Sequence, residues 1–271
     1  MSAFRVLITG GGCVEKIDDV RSITNTSSGK TALLIARVIK ALNPAAAITY
    51  LMAERAVQPK IVGKAETAGG KAETSGKTKT AGAASNRDSV RNFSSCADLQ
   101  KLLRAELSAN KYDLLFHAAA VSDYSVESLV VDGKEFKPGR VAKITGAKNV
   151  SVNLKLNPKL LAEIPALAKK KNKSAVVVGF KLTSNASLPE REAAVQKLFA
   201  EKNPPDFVIS NDLSEITPKS HPCVLWRAGG KAKSACKTKK GGAVSGASNQ
   251  AVAIARGQIQ TIVRKIYAFN S

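Results

Sequence analysis

Short apolar segments of strand length alternate with segments of helical period along most of this chain. That alternation narrows the fold more than any other feature. Phe4–Thr9 reads FRVLIT, a largely apolar stretch of strand length, and is followed by SSGKTALLIARVIKALN, whose apolar residues recur at helical spacing up to Pro44. The pattern then repeats. AAITYLM (Ala46–Met52), YDLLFHAAAV (Tyr112–Val121), SAVVVGF (Ser174–Phe180) and DFVISN (Asp206–Asn211) read as strands, and VSVNLKL (Val150–Leu156) as a half-exposed one. Helices are expected at Cys96–Lys111, from Pro158 to Lys171, from Pro189 to Lys202 and over Arg256–Phe269. Strands apolar on both sides need cover on both faces, and a helix between successive strands makes them parallel. The expected fold is α/β: a doubly wound, mostly parallel, Rossmann-like sheet with helices on both faces. HPCVLWR and AVAIA (Ala251–Ala255) would add an edge hairpin. A chain of 271 residues suits one domain spanning 1–271.

Composition matters at two places. The formal charge is +21, which invites a nucleic-acid reading. Residues 57–91 carry seven Lys/Arg against three acids, and residues 227–250 carry six against none, so these stretches hold +10 of the total. Both are rich in Ala, Gly, Ser, Thr and Lys and offer almost nothing to bury, so they are expected to be disordered low-complexity insertions. No aromatic residues interleave their charges, as single-strand binding prefers, and nucleic acid is not the expected partner. The cysteines Cys13, Cys96, Cys223 and Cys236 form no CxxC pair, which suggests free thiols in a reducing, cytoplasmic setting and no zinc site. No run is apolar and long enough to span a membrane, and the N-terminus enters a strand directly instead of a leader.

The stretch ITNTSSGKT (Ile23–Thr31) ends like a phosphate-binding P-loop but lacks its spacing. Five positions before Gly29 stands Thr24, where the motif needs glycine, and no strand leads directly into it. What remains is a helix start, capped by Ser27 or Ser28, with free N–H groups able to meet a phosphate or carboxylate.

Ligands of open α/β sheets bind beyond the C-terminal strand ends. Here those ends carry Gly10-Gly11-Gly12, Ala118-Ala119-Ala120 with Asp123, Gly179-Phe180-Lys181, and Ser210-Asn211-Asp212. Small or polar residues at four ends of one sheet point to one shared site, although each alone is ordinary turn chemistry. A dinucleotide fingerprint is broken, because Glu15 stands where the third small residue is needed. Ser128 occupies the position where a short-chain dehydrogenase would need lysine after Tyr124. A nucleotide-binding oxidoreductase therefore stays the alternative.

Taken together, the strings ITGGGCVEKIDDVRSITNTSSGK, AAAVSDY, AKI, LNPKLL, VGFKL and ISNDLSEI resemble the phosphopantothenate–cysteine ligase family in its free-standing form. They occur in the family's order and cover most of the chain outside the two basic stretches. The resemblance implies a reaction in coenzyme A synthesis. The carboxylate of 4'-phosphopantothenate attacks a nucleoside triphosphate, CTP or ATP, giving an acyl-nucleotide and pyrophosphate, and the amine of L-cysteine then displaces the nucleotide. It also implies Mg²⁺ accompanying the nucleotide, and a homodimer.

The same resemblance assigns residues. Asn25 would contact the acyl-nucleotide carbonyl, and Lys143, in VAKI, would help form the intermediate, with Lys137 and Lys148 as competitors on the same loop. Ser28 and Gly29, with Asn25, would meet the pantothenoyl part. Gly10, Gly11 and Gly12 would let backbone N–H groups approach phosphates. Ala119 and Ala120 would pack the nucleotide against backbone, Asp123 would bind it through the ribose, and Asn157, Pro158, Lys159 and Leu160 form the strand-to-helix turn beside it; many relatives have Asp where Lys159 stands. Phe180 would lie against the base. Lys197 and Lys202 would reach the phosphates, Lys202 fitting better by motif. No metal ligands can be named. Asn211 and Asp212 read as structural, His117 as a hydrogen-bonded core histidine, and Trp226 as hairpin packing.

Overall fold

The computed structural model describes residues 4–61, 87–139, 144, 146–217, 222–228, 233–234 and 261. Its main sheet begins with β1 (Arg5–Gly10), which pairs in parallel with β4 (Ala47–Ala53) on one side and with β6 (Leu114–His117) on the other. Beyond β6 come β10 (Val176–Thr183) and β11 (Phe207–Asp212), again parallel. An antiparallel edge of β12 (Val224–Arg227) and β13 (Lys233–Ser234) closes that side. On the far side β5 (Ser89–Phe93) pairs in parallel with β4. The strand order is β13-β12-β11-β10-β6-β1-β4-β5, so the chain starts in the middle and winds outward in both directions. This bears out the doubly wound fold, and a switch point lies between β1 and β6.

Helices cover both faces. α1 (Lys30–Leu42) packs on one face of β1, so tightly that a Cβ at Gly10 would come within 2.5 Å of the Ala32 Cβ. α2 (Cys96–Ala109), α3 (Leu160–Lys171) and α4 (Leu188–Phe199) lie on the opposite face. Leu161 of α3 sits where a Cβ at Gly179 would meet it at 2.6 Å, and Val195 of α4 packs with Val208 and Trp226. α2 is held by a capping box, Ser95 with Asp98, and the Glu15 carboxylate accepts from Cys96 N–H at 2.8 Å. The core is continuous and aliphatic, with Leu7, Ile8, Ile35, Ile48, Leu51 and Leu99 almost without exposure. Cys13, Cys96 and Cys223 are buried free thiols, and burial pushes Cys13 up to about 12 and Cys96 to about 11. Trp226 donates its indole N–H to Ser210 Oγ at 2.7 Å, the hairpin packing expected of it. Among the described residues no helix is long and apolar enough to cross a membrane.

Several boundaries differ from expectation. α1 starts at Lys30, and the residue at its cap position is Gly29 in the left-handed region; Ser28, one residue earlier, accepts Lys30 N–H on its hydroxyl at 3.4 Å, a long bond to the first turn. β5 begins inside residues 57–91 and β13 inside 227–250, so backbone pairing reaches into both stretches read as insertions, despite their composition. Residues 62–86 and 235–250, AVAIA and, apart from Thr261, the closing helix lie outside the described residues. A small antiparallel sheet was not foreseen: β7 (Tyr124–Val131) pairs with β8 (Lys134–Phe136) and with the expected β9 (Val150–Leu156). Its β7–β8 turn uses Asp132 and Gly133, both with positive φ, which is hairpin chemistry in a stretch whose strands alternate only weakly. A second two-stranded piece, β2 (Val14–Lys16) with β3 (Ser22–Thr24), carries the chain from β1 towards α1.

Two carboxylates hold turns and give an acid-stability prediction. Asp18 accepts from Val20 N–H, Arg21 N–H and the Arg21 guanidinium. Burial works against its charge, but the Arg21 and Val20 N–H groups and that guanidinium outweigh it and hold the carboxyl down at about 2. Asp212 is held low first by the Ser214 hydroxyl and then by the Thr183 hydroxyl, with Ala186 N–H adding to them. A carboxyl held below its unfolded value near 3.9 stabilises the fold above that value and ceases to do so as pH falls through the folded one. Denaturant unfolding should therefore show stability level from about pH 7 to 5 and falling from about pH 4 towards 2. In Asp18→Asn part of that acid slope should disappear; an unchanged slope would show that Asp18 does not contribute.

Candidate active site

The site grows from the ends of β1 and β6. Past these strands the two chains still run side by side: Ala120 N–H donates to Gly11 O at 2.9 Å and Cys13 N–H to Ala120 O at 3.0 Å, with Gly12 bridged to Ala120. The β3–α1 loop lies directly on this pair. A Cβ at Gly12 would fall 1.9 Å from the Asn25 carbonyl oxygen, so only glycine admits that loop. Asn25 N–H donates to Cys13 O at 3.2 Å. Its side-chain Oδ1 accepts from Ser122 Oγ at 2.9 Å, and Nδ2 points to Val121 O at 3.5 Å. A carbonyl can only accept, so Nδ2 faces Val121, and one N–H of that amide is left for a ligand.

Asn25 stands at one end of a cavity of about 910 Å³. One wall is Asn25, Thr26, Ser27 and Thr31; the floor is His117 through Asp123. Pro158, Lys159 and Leu160 of the turn into α3 form a second wall, and Phe180, Lys181 and Leu182 at the end of β10 a third. Glu190 and Lys197 of α4 close the far side. The cavity is thus built from the C-terminal ends of parallel strands and the helices that follow them. Neither Lys181 nor Lys197 has an ion-pair partner among the described residues, whereas Glu190 is engaged by Ser187 N–H and hydroxyl at 2.7 Å. Lys159 and Asp123 pair at 2.6 Å with both side chains more than 60% exposed (63% and 64%), a solvent-screened contact that a ligand can break at small cost.

Asn25, Ala119, Ala120, Asp123, Pro158, Lys159, Leu160, Phe180 and Lys197 all line this one cavity, as expected. Others do not. Gly10, Gly11 and Gly12 are buried, and the space beside them is filled by the protein: Gly10 by Ala32, Gly11 by Ala53 and Ala56, Gly12 by Asn25. Gly10 and Gly11 admit close packing of neighbouring side chains, Gly12 seats the Asn25 backbone, and none of the three lines the cavity. Gly29 likewise packs on Ala56 and Met52, and Ser28 is exposed; neither reaches the cavity. Asn157 stands behind the lining, donating from Nδ2 to Ser122 O at 3.0 Å and from its N–H to Asp123 O at 2.8 Å, with Ser125 Oγ on its Oδ1. It braces the floor. Of the two lysines, Lys197 lines the cavity, whereas α4 ends at Phe199 and Lys202, which fitted better by motif, lies exposed in the bend beyond, outside the lining. Lys137 and Lys148 are exposed and line nothing here, and Lys143 lies outside the described residues. Asn211 lines the cavity while donating to Pro222 O at 2.7 Å, and Asp212 is wholly buried as the hub of its turn.

Sequence reasoning missed Ser122 and Lys181. Both sit inside quoted strings, beside residues that were singled out. For Lys181 the signal is strand parity: on β10 it shares the face of Gly179, where α3 and α4 pack.

The model of the family described as DNA/pantothenate metabolism flavoprotein C-terminal domain matches residues 1–68 and 60–247. The chain belongs to this family. Membership bears out the likeness carried by the motif strings. A curated relative, the coenzyme A biosynthesis bifunctional protein CoaBC of Methanocaldococcus jannaschii, is 28% identical over 214 residues, 78% of this chain but 41% of its own length. The chain therefore spans less than half of that relative. Among solved structures, the DNA/pantothenate metabolism flavoprotein from Streptococcus pneumoniae aligns with a TM-score of 0.64 at 23% identity, covering 86% of this chain and 93% of that one. A Cab2 variant in complex with phosphopantothenate-cysteine aligns at 0.57 and 19% identity, over 85% and 80% of the two chains. Family members of known structure thus share this chain's fold.

Proposed function

We propose that this family member joins 4'-phosphopantothenate to L-cysteine through an acyl-nucleotide formed from CTP or ATP. The observation that carries the proposal is the meeting of Asn25, Asp123, Phe180 and Lys197, drawn from four separate parts of the chain, in one cavity at the strand ends. In this role Nδ2 of Asn25 donates to the carbonyl oxygen of the acyl-nucleotide, a task that suits a neutral amide because it adds no charge beside a phosphate. The nucleoside packs on Ala119, Ala120 and Phe180, and Asp123 exchanges Lys159 for the ribose. Lys197, joined by Lys181, neutralises phosphate charge, and Lys143 completes that task. Ammonium groups suit it, since both acid reactants are polyanions. Among the described residues no cluster of three His, Cys, Asp or Glu could cage a metal, so Mg²⁺ would arrive on the triphosphate oxygens. Pairing of two copies belongs to the same reading. It is supported by the exposed Tyr124, Leu154 and Leu156, which share one face of β7 and β9.

The decisive assay is pyrophosphate release with each of four nucleoside triphosphates. Release should require phosphopantothenate, and nucleoside monophosphate and the amide product should appear when cysteine is added. No release with any nucleotide would refute the assignment. A change in nicotinamide absorbance would favour an oxidoreductase instead. Light scattering should give twice the chain mass, and Leu156→Glu should return it to one.

A further inference from the structure

β6 ends on His117, read from the sequence as an ordinary core histidine. It is only 7% exposed, yet it forms part of the cavity floor. Strand register puts it in one row with Thr9 of β1 and Gly179 of β10. Thr9 Oγ1 lies 3.0 Å from His117 Nδ1 and also accepts Ala119 N–H at 3.1 Å. Thr9 is 1% exposed, so its hydroxyl proton has no water to turn to, and His117 Nδ1 is its one acceptor among the described residues. The hydroxyl must donate there, which leaves the imidazole proton on Nε2. Nε2 has no hydrogen-bond partner among the described residues, while no fully enclosed side-chain nitrogen or oxygen there lacks one. Nε2 is therefore open to the cavity, as a donor. Burial lowers the ring's pKa to about 4, so that donor is uncharged at neutral pH.

We propose that the Nε2–H of His117 reads the nucleobase: it donates to a carbonyl oxygen or ring nitrogen on the base of the nucleoside triphosphate and so sets which nucleotide is used. This rests on the nucleotide reading given above. The surroundings favour a base over a phosphate. Beside His117 the lining is Ala118, Ala119, Leu161 and Phe180, apolar surface suited to a flat heteroaromatic ring, with Lys181 two residues beyond Gly179 on the neighbouring strand and Lys159 and Lys197 on the turn before α3 and on α4. A buried neutral donor discriminates well, because a base that presents no acceptor leaves it unpaired.

Two variants and one spectrum test this. His117→Leu should raise KM for the preferred nucleotide about tenfold, the worth of one hydrogen bond to an uncharged group, with kcat within about threefold. KM for phosphopantothenate and for cysteine should not move, and preference over the other three nucleotides should narrow by the same factor. His117→Gln, which keeps a donor at similar reach, should recover part of the loss. The chain has two histidines, His117 and His221, so ¹⁵N spectra of the unmodified protein resolve the ring, with His117→Gln supplying the assignment. The free protein should show the Nε2–H tautomer, and its signal should shift on adding a non-hydrolysable analogue of the preferred nucleotide but not on adding phosphopantothenate. An Nδ1–H tautomer, an equal rise in KM for all four nucleotides, or a rise in KM for phosphopantothenate would each overturn the proposal. The spectrum needs no turnover, so it decides the role of His117 even where the ligase assay or the folding of a variant fails.

Discussion

Asn25→Asp should lower turnover by roughly 10²–10³-fold, the usual cost of losing one preorganised donor to a developing oxyanion. The fold should survive, because the new carboxylate still accepts the Ser122 hydroxyl that now meets Oδ1 at 2.9 Å. What it loses is Nδ2, and what it adds is negative charge where an acyl phosphate must sit. The loss should concentrate in kcat and in the cysteine-dependent step, with pyrophosphate release less affected. Steady-state and single-turnover assays separate the two, and melting temperature serves as the control. Ser122→Ala should follow the same pattern more weakly, since it removes the bond that orients Asn25 and leaves the amide in place. A fully active Asn25→Asp would remove Asn25 from the site.

Among the described glycines, Gly12→Ala should be the most damaging substitution. Its Cβ would stand 1.9 Å from the Asn25 carbonyl oxygen and 2.9 Å from the carbonyl carbon, and both are backbone atoms with no rotamer to escape into. Overpacking of this kind costs typically 1–3 kcal/mol and occasionally more, and here the upper end is expected. For a domain of this size that is a fall in melting temperature of roughly 6–12 °C. Activity should fall further than stability does, because the β3–α1 loop that must give way carries Asn25. Gly133→Ala is the comparison: unlike Gly12 it has a left-handed φ, but nothing lies within 4 Å of its Cβ position, so the clash is absent and only a backbone term of about 1 kcal/mol remains. Thermal melts of the two variants side by side check this, and equal losses would show that the clash at Gly12 relaxes.

Much of the site was legible because motif strings mark strand ends, and strand ends of one parallel sheet lie along one rim. Ala119, Ala120, Asp123 and Phe180 can be gathered on that ground from the sequence alone, whereas Pro158, beyond a strand of the small antiparallel sheet, comes only with the family resemblance. Glycine in a sequence announces close approach without saying what approaches, and at Gly10, Gly11 and Gly12 the neighbours are Ala32, Ala53, Ala56 and the Asn25 backbone, not a ligand. Lys197 and Lys202 could not be ranked from spacing, because their order depends on where α4 stops. The β7–β8 hairpin escaped notice because its strands alternate weakly, Val126 and Leu129 being buried across a bulge that shifts the register.

Local patterning by itself determined the layering of this protein: apolar runs of four to eight residues between helical segments can bury themselves only as parallel strands under helices on both faces. Tertiary structure alone decided which side chains share the cavity, and what each can do there. His117 carries no mark in the sequence that separates a packed core residue from a donor facing a ligand. That distinction arises because register sets Thr9 beside it and a buried hydroxyl must give its proton to the one acceptor it can reach.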